Sequence, residues 1–157
     1  MPKITDKDLK YELLGIFFVA AGFFSLISLG GFNTGPVGSF VARMLSVFFG
    51  VGAAVLPMTL VIIGFRYIRY HKSICYSLKF WGLVCLNFLL LAIYHHFTIP
   101  QGKEILPESL IPGGGFAGGF ILFSIRKVFG YDGTLVVLLA GALASLLIAT
   151  AWSLAKG

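Results

Sequence analysis

The chain has 157 residues, of which 58% are hydrophobic and only 11% charged, with a mean hydropathy of +0.95. Soluble domains carry about 25% charged residues, so this chain has too few ionic groups to cover a water-facing surface. Its formal net charge of +6 fits basic loops held at a membrane face better than a nucleic-acid footprint. One all-α integral membrane domain over 1–157 is the expected class.

Residues 1–12 mix Lys3, Asp6, Lys7, Asp8, Lys10 and Glu12. A helix capped by Thr5 or Asp6 starts there. Leu13 to Leu29 follows without a charge, so 9–29 is expected to be span one, long enough for about 30 Å of hydrocarbon. It is too long for a signal peptide and lacks the cleavage pattern. Gly30-Gly31 ends it.

Asn33 to Gly38 is a turn. Val37, Phe40, Val41, Met44, Leu45 and Phe48 then fall on one helical face, with Ser39, Arg43 and Ser46 largely off it. That pattern predicts a short amphipathic helix at the membrane surface, broken at Gly50. Residues 50–67 are expected to be span two. Pro57 sits inside them, which predicts a kink. A basic loop follows, with Arg66, Arg69, His71, Lys72 and Lys79 and no acid. Span three is expected at 80–97, bracketed by Trp81 and by Tyr94, His95 and His96.

Residues 98–119 hold Pro100, Pro107, Pro112 and a cluster of glycines, and are expected to be an outer loop. A second short amphipathic piece, 120–129, carries Arg126 and Lys127. Gly130 breaks it, Asp132 is placed to cap the next helix, and 132–154 is expected to be span four. Four spans put both termini on one side, and the basic loop between spans two and three assigns that side to the cytoplasm.

A shift of 80 residues superposes Gly35 on Gly115, Gly38 on Gly118, Phe40 on Phe120, Leu45 on Ile125, Phe49 on Phe129 and Gly50 on Gly130. Each half then runs span, glycine turn, amphipathic re-entry helix, glycine break, span. This is the pattern of a parallel two-fold internal repeat.

Functional motifs are sparse. Gly113, Gly115 and Gly118 match the spacing of a dinucleotide fingerprint but lack the strand before it. No G-x-x-x-x-G-K-[ST] box occurs in the 157 residues. His95 and His96 are read as interfacial polar residues, since neighbouring carboxylates at Glu104 and Glu108 make a poor metal set. Cys75 and Cys85 are read as unpaired. Asn87 is the most polar residue near a mid-span position. No charged residue falls in the middle of a predicted span, which argues against a proton-driven carrier. Gly141, Ser145, Ala149 and Ser153 form a small-residue ridge on span four, suited to close packing within the chain or against another subunit. No catalytic site, cofactor site or metal site is predicted.

The run Gly35-Pro36-Val37-Gly38, then Gly50, Pro57, Gly64 and the exit Arg66-Tyr67-Ile68-Arg69, resembles the amino-terminal membrane domain of the FtsK/SpoIIIE DNA translocases. Asn33 lies near where that family often has an asparagine. The resemblance implies a four-span anchor in the bacterial inner membrane at the division septum. Its partners would be lipid, other copies and other division proteins. A downstream linker and DNA-pumping ATPase would lie past Gly157, and DNA and ATP would be engaged only through that motor. The chain would then be a piece or a truncated form of such a protein. A small four-span channel or transporter, and an unrelated membrane scaffold, are the alternatives.

Overall fold

The computed structural model describes residues 6–70 and 78–150. Its elements are α1 (Asp6–Leu29), α2 (Gly35–Phe49), a 3-10 turn (Gly50–Gly52), α3 (Val55–Tyr70), α4 (Leu78–Thr98), α5 (Pro107–Leu110) and α6 (Gly115–Thr150). No strand occurs among the described residues. Four stretches are long and apolar enough to cross a membrane: Leu9–Leu29, Gly35–Gly52, Leu78–Thr98 and Gly115–Thr150. The fold is an all-helical membrane domain.

The backbone divides into two compact units. The first contains α1, the start of α2, and α3. Here α1 and α3 pack antiparallel through glycines. A Cβ on Gly15 would stand 2.8 Å from the Gly64 carbonyl oxygen, and one on Gly22 would stand 2.8 Å from that of Pro57. A Cβ on Gly64 would in turn meet the Gly15 carbonyl at 2.6 Å. Such gaps admit hydrogen only, so the two backbones approach more closely than any side chain would allow. Tyr67 extends the seam by stacking on Tyr11 and Phe18, with ring centroids 5.8 and 5.9 Å away.

The lead-in to α2 explains the turn residues. Ser28 Oγ lies 2.9 Å from Thr34 Oγ1, and the Gly35 N–H donates to Asn33 Oδ1 at 3.4 Å. Gly35 has φ of 71°, a left-handed conformation that other residues resist. Pro36 follows in the first turn of α2, where a missing N–H costs little. Gly38 is buried, and a Cβ there would collide with Thr34 and Ser28.

The structure departs from the expected elements at three points. The helix expected from Gly50 begins later, because Gly50–Gly52 is a 3-10 turn and α3 starts at Val55. Pro57 therefore lies in the first turn of α3, a position where its ring needs no helical donor. The expected mid-span kink gives way to a proline that starts the helix. Finally, α6 begins at Gly115, inside the predicted outer loop, and continues to Thr150 with a non-helical Gly130 (φ 71°, ψ −173°) between its two halves. Of the basic loop, Arg66, Arg69 and Lys79 are described and exposed, and both arginines lie over the Tyr70 ring at 5.8 and 5.9 Å. His71, Lys72, Cys75 and Ser153 fall outside the described residues.

In the second unit α4 packs antiparallel on the second half of α6. A Cβ on Gly82 would meet the Ala149 backbone nitrogen at 2.7 Å, and one on Gly141 would meet Leu89 at 3.3 Å. Ser145 is buried between these levels. Gly141, Ser145 and Ala149 therefore sit in or beside the α4 contact. Ala92, Leu122 and Leu138 are fully buried in the centre, flanked by Leu89, Ile93, Ile121 and Ile125.

Replacing Gly64 with alanine must push α1 and α3 apart at backbone level. Gly64→Ala is expected to cost about 1–3 kcal/mol, the usual range for overpacking, and to lower the thermal midpoint in detergent. An unchanged midpoint would contradict the close approach.

Candidate functional site: a buried polar cluster where α4 meets α6

Near the C-terminal end of α4 the helix carries two buried histidines. His95 is wholly inaccessible and His96 only 3% exposed. This overturns their reading as interfacial residues. Adjacent positions on a helix diverge by about 100°, and the two rings accordingly serve different neighbours.

His95 faces the start of α6. The Gly114 N–H donates to His95 Nδ1 at 2.9 Å, so Nδ1 accepts and the ring proton sits on Nε2. The glycine run makes room for this ring. A Cβ on Gly113 would overlap it, and one on Gly119 would come within 3.3 Å of its Cε1. Gly114 and Gly118 likewise lie against the Leu91 carbonyl. The dinucleotide-like spacing thus reflects helix contacts.

His96 faces Arg126 on α6. Arg126 is 7% exposed, which corrects its placement on a surface amphipathic piece. Its Nη1 donates to Glu104 Oε1 at 2.6 Å. Its Nη2 donates to His96 Nδ1 at 3.0 Å and to the His96 carbonyl at 3.3 Å. Arginine has no acceptor, so His96 Nδ1 must accept. The guanidinium also lies over the Tyr131 ring at 4.8 Å, and Tyr131 packs on His96 with centroids 4.6 Å apart.

Glu104 completes the cluster from the connection between α4 and α5. It also receives the Gly102 N–H at 3.1 Å. Burial pushes its pKa upward. The Arg126 hydrogen bond, backbone N–H donors and the guanidinium charge outweigh burial and hold the carboxyl below its ordinary range. A buried arginine and glutamate are thus neutralised by one another and tie three segments together: the end of α4, the connection after it, and α6.

Nothing in this arrangement is poised for chemistry. His95 Nδ1 and His96 Nδ1 are both engaged, whereas His95 Nε2 and Arg126 Nε are buried without a hydrogen-bond partner. Among the described residues no group of three or more His, Cys, Asp or Glu could hold a metal ion. Cys85 is free and exposed, and Asn87 is half-buried on α4. The sequence reading missed the cluster because its members lie 95 to 131 along the chain without a common spacing. The one available signal was a pair of opposite charges, Glu104 and Arg126, on either side of the glycine run.

Helices joined by backbone contact, a buried polar cluster and four stretches apolar enough to cross a bilayer define an all-helical membrane domain. The comparisons specify it further. The 4TM region of DNA translocase FtsK/SpoIIIE matches residues 33–157, and the chain belongs to that family. A "DNA translocase FtsK" of Caldanaerobacter subterraneus subsp. tengcongensis is 27% identical over 143 residues, covering 86% of this chain and 20% of the relative. Proteins of the same name from Clostridium acetobutylicum and Clostridium tetani are each 29% identical over 82% of this chain, covering 18% and 19% of their own lengths. The chain therefore spans about a fifth of the curated relatives it matches, and the matched part is the membrane region. No solved structure matches.

Removing one partner of a buried ion pair strands the other. Glu104→Gln or Arg126→Met is expected to destabilise by about 3–5 kcal/mol. The double variant should recover much of that loss in a thermal-melt cycle, because it leaves no unpaired charge. Acid should act through the same pair. Since the folded pKa of Glu104 is depressed, its stabilisation is present above the ordinary carboxylate value of about 4 and is lost as pH falls through the folded value. The gap in melting temperature between the parent and Glu104→Gln should therefore shrink on acidification below that value.

Proposed function

We propose that this domain anchors a DNA-translocating ATPase in the inner membrane at the division septum, with both termini in the cytoplasm. The observation that carries this reading is the family match over 33–157. It is supported by relatives printed as DNA translocases and by the absence of a nucleotide-binding box in these 157 residues. ATP hydrolysis and DNA movement belong to a motor portion. This domain holds that motor at the membrane, associates with other copies of itself, and meets other division-site membrane proteins.

We infer that the four spans are α1, α3, α4 and the second half of α6. At 16 residues α3 is about 24 Å long, short for a bilayer. Yet it lies against α1 from Gly22 to Tyr11, so its depth matches that of its partner. On this reading α2 and the first half of α6 are the amphipathic pieces that turn the chain back towards the membrane. The exposed Arg66, Arg69 and Lys79, with Lys72 between them, then mark the cytoplasmic face and the anionic lipid there, each cation contributing about 1 kcal/mol. The Glu104–Arg126 pair is closed on itself by a direct ion pair, which weighs against a channel.

A cysteine introduced as Lys72→Cys should react with an impermeant thiol reagent only from the cytoplasmic side. Labelling from outside would reject the topology. A fluorescent fusion should concentrate at the septum of dividing cells, and an even envelope signal would reject the division-site role.

A further inference from the structure

In the second unit the exit from α2 meets the lead-in to α6 backbone to backbone. The Val51 N–H donates to the Gly113 carbonyl at 3.0 Å. A Cβ on Gly50 would overlap that carbonyl, and one on Gly115 would overlap the Phe48 carbonyl. The Phe48 and Phe116 rings meet edge to face at 6.1 Å. Gly50, Gly113 and Gly115 are all buried. The contact is therefore shaped by residues that carry no side chain, on both of its faces.

The chain carries a second exit and a second lead-in of the same form. A shift of 80 carries Phe48–Val51 onto Val128–Tyr131, with Gly50 over Gly130. It carries Gly113–Phe116 onto Asn33–Pro36, with Gly115 over Gly35. The backbone agrees at each glycine. Gly50 and Gly130 have φ of 54° and 71°, and Gly115 and Gly35 have 69° and 71°. Unlike their counterparts, Gly35 and Gly130 have nothing within 4 Å of where a Cβ would sit. Around them Val37 is 67% exposed and Val128 73%. Both faces of a second contact are thus present, and both are open.

We propose that the exit at Val128–Tyr131 of one copy docks on the lead-in at Asn33–Pro36 of a second copy, repeating the contact built inside each chain. The occupant is a second copy because the complementary surface is already encoded in this chain. The two faces differ, so the contact is head to tail and propagates from copy to copy into a ring or an open row. This inference rests on the membrane reading and the duplicated pattern; it does not require placement at the septum.

The test uses two differently tagged populations of the full chain in one membrane, with Cys75 and Cys85 replaced by serine. One carries Pro36→Cys, the counterpart of Phe116, and the other carries Val128→Cys, the counterpart of Phe48. Val37→Cys serves as a second lead-in position. A double variant with Phe48→Cys and Phe116→Cys, cross-linked within one chain, shows that the reagent spans the built contact. A short thiol cross-linker should give a band at twice the monomer mass that carries both tags, and none between like copies. No mixed band, as expected if lipid covers these residues, would overturn the proposal. So would equal linking between like copies. Septal localisation that persisted in either case would leave the anchor reading standing.

Discussion

Close approach of helix backbones is the constraint on which the rest of this structure depends. In lipid, burying an apolar side chain against another gains little, because the surroundings are equally apolar. Helices adhere through contact at short range, and contact at short range needs positions without side chains. The α1–α3 seam has them at Gly15, Gly22 and Gly64, and the α4–α6 seam at Gly82 and Gly141. The exit from α2 uses the same device at Gly50 against Gly113 and Gly115. Composition foreshadows this, since 20 of the 157 residues are glycine in a chain that is mostly helical, where glycine is otherwise unfavourable.

Packing of this kind tolerates few polar groups, so those that are buried must satisfy one another. The Glu104–Arg126–His96 cluster does so for all but Arg126 Nε, with a charge-assisted bond, two further arginine bonds and an aromatic face. Its position where α4, the following connection and α6 converge makes it a clamp on the most irregular part of the fold. The glycine run at 113–119 belongs to the same construction, because it lets His95 and Leu91 press against the α6 backbone. These charges hold three segments of the domain together.

Much of the organisation was legible in the residues. Uninterrupted apolar runs located α1 and α4, since only helices satisfy their backbone in lipid. The turn residues at 33–38 located the start of α2, because Gly35 has a conformation that few other residues accept. Of the glycines that the eighty-residue shift pairs, Gly35, Gly50, Gly115 and Gly130 have positive φ, and Gly38 and Gly118 do not. The resemblance in 33–69 named the family that the comparison confirmed.

What the sequence by itself determined was therefore the membrane class, the helices and the family, since hydrophobicity, backbone torsion and local turn chemistry are short-range properties. Tertiary structure decided what those properties leave open. It set Pro57 in the first turn of α3 instead of mid-span, because the 3-10 turn before it uses up residues 50–52. It turned the small-residue ridge at Gly141 and Ala149 towards α4. It buried His95, His96 and Arg126, because whether a polar residue faces lipid, water or a partner depends on which distant residue stands opposite. For Arg126 that residue is Glu104, 22 positions away, and no local pattern connects the two.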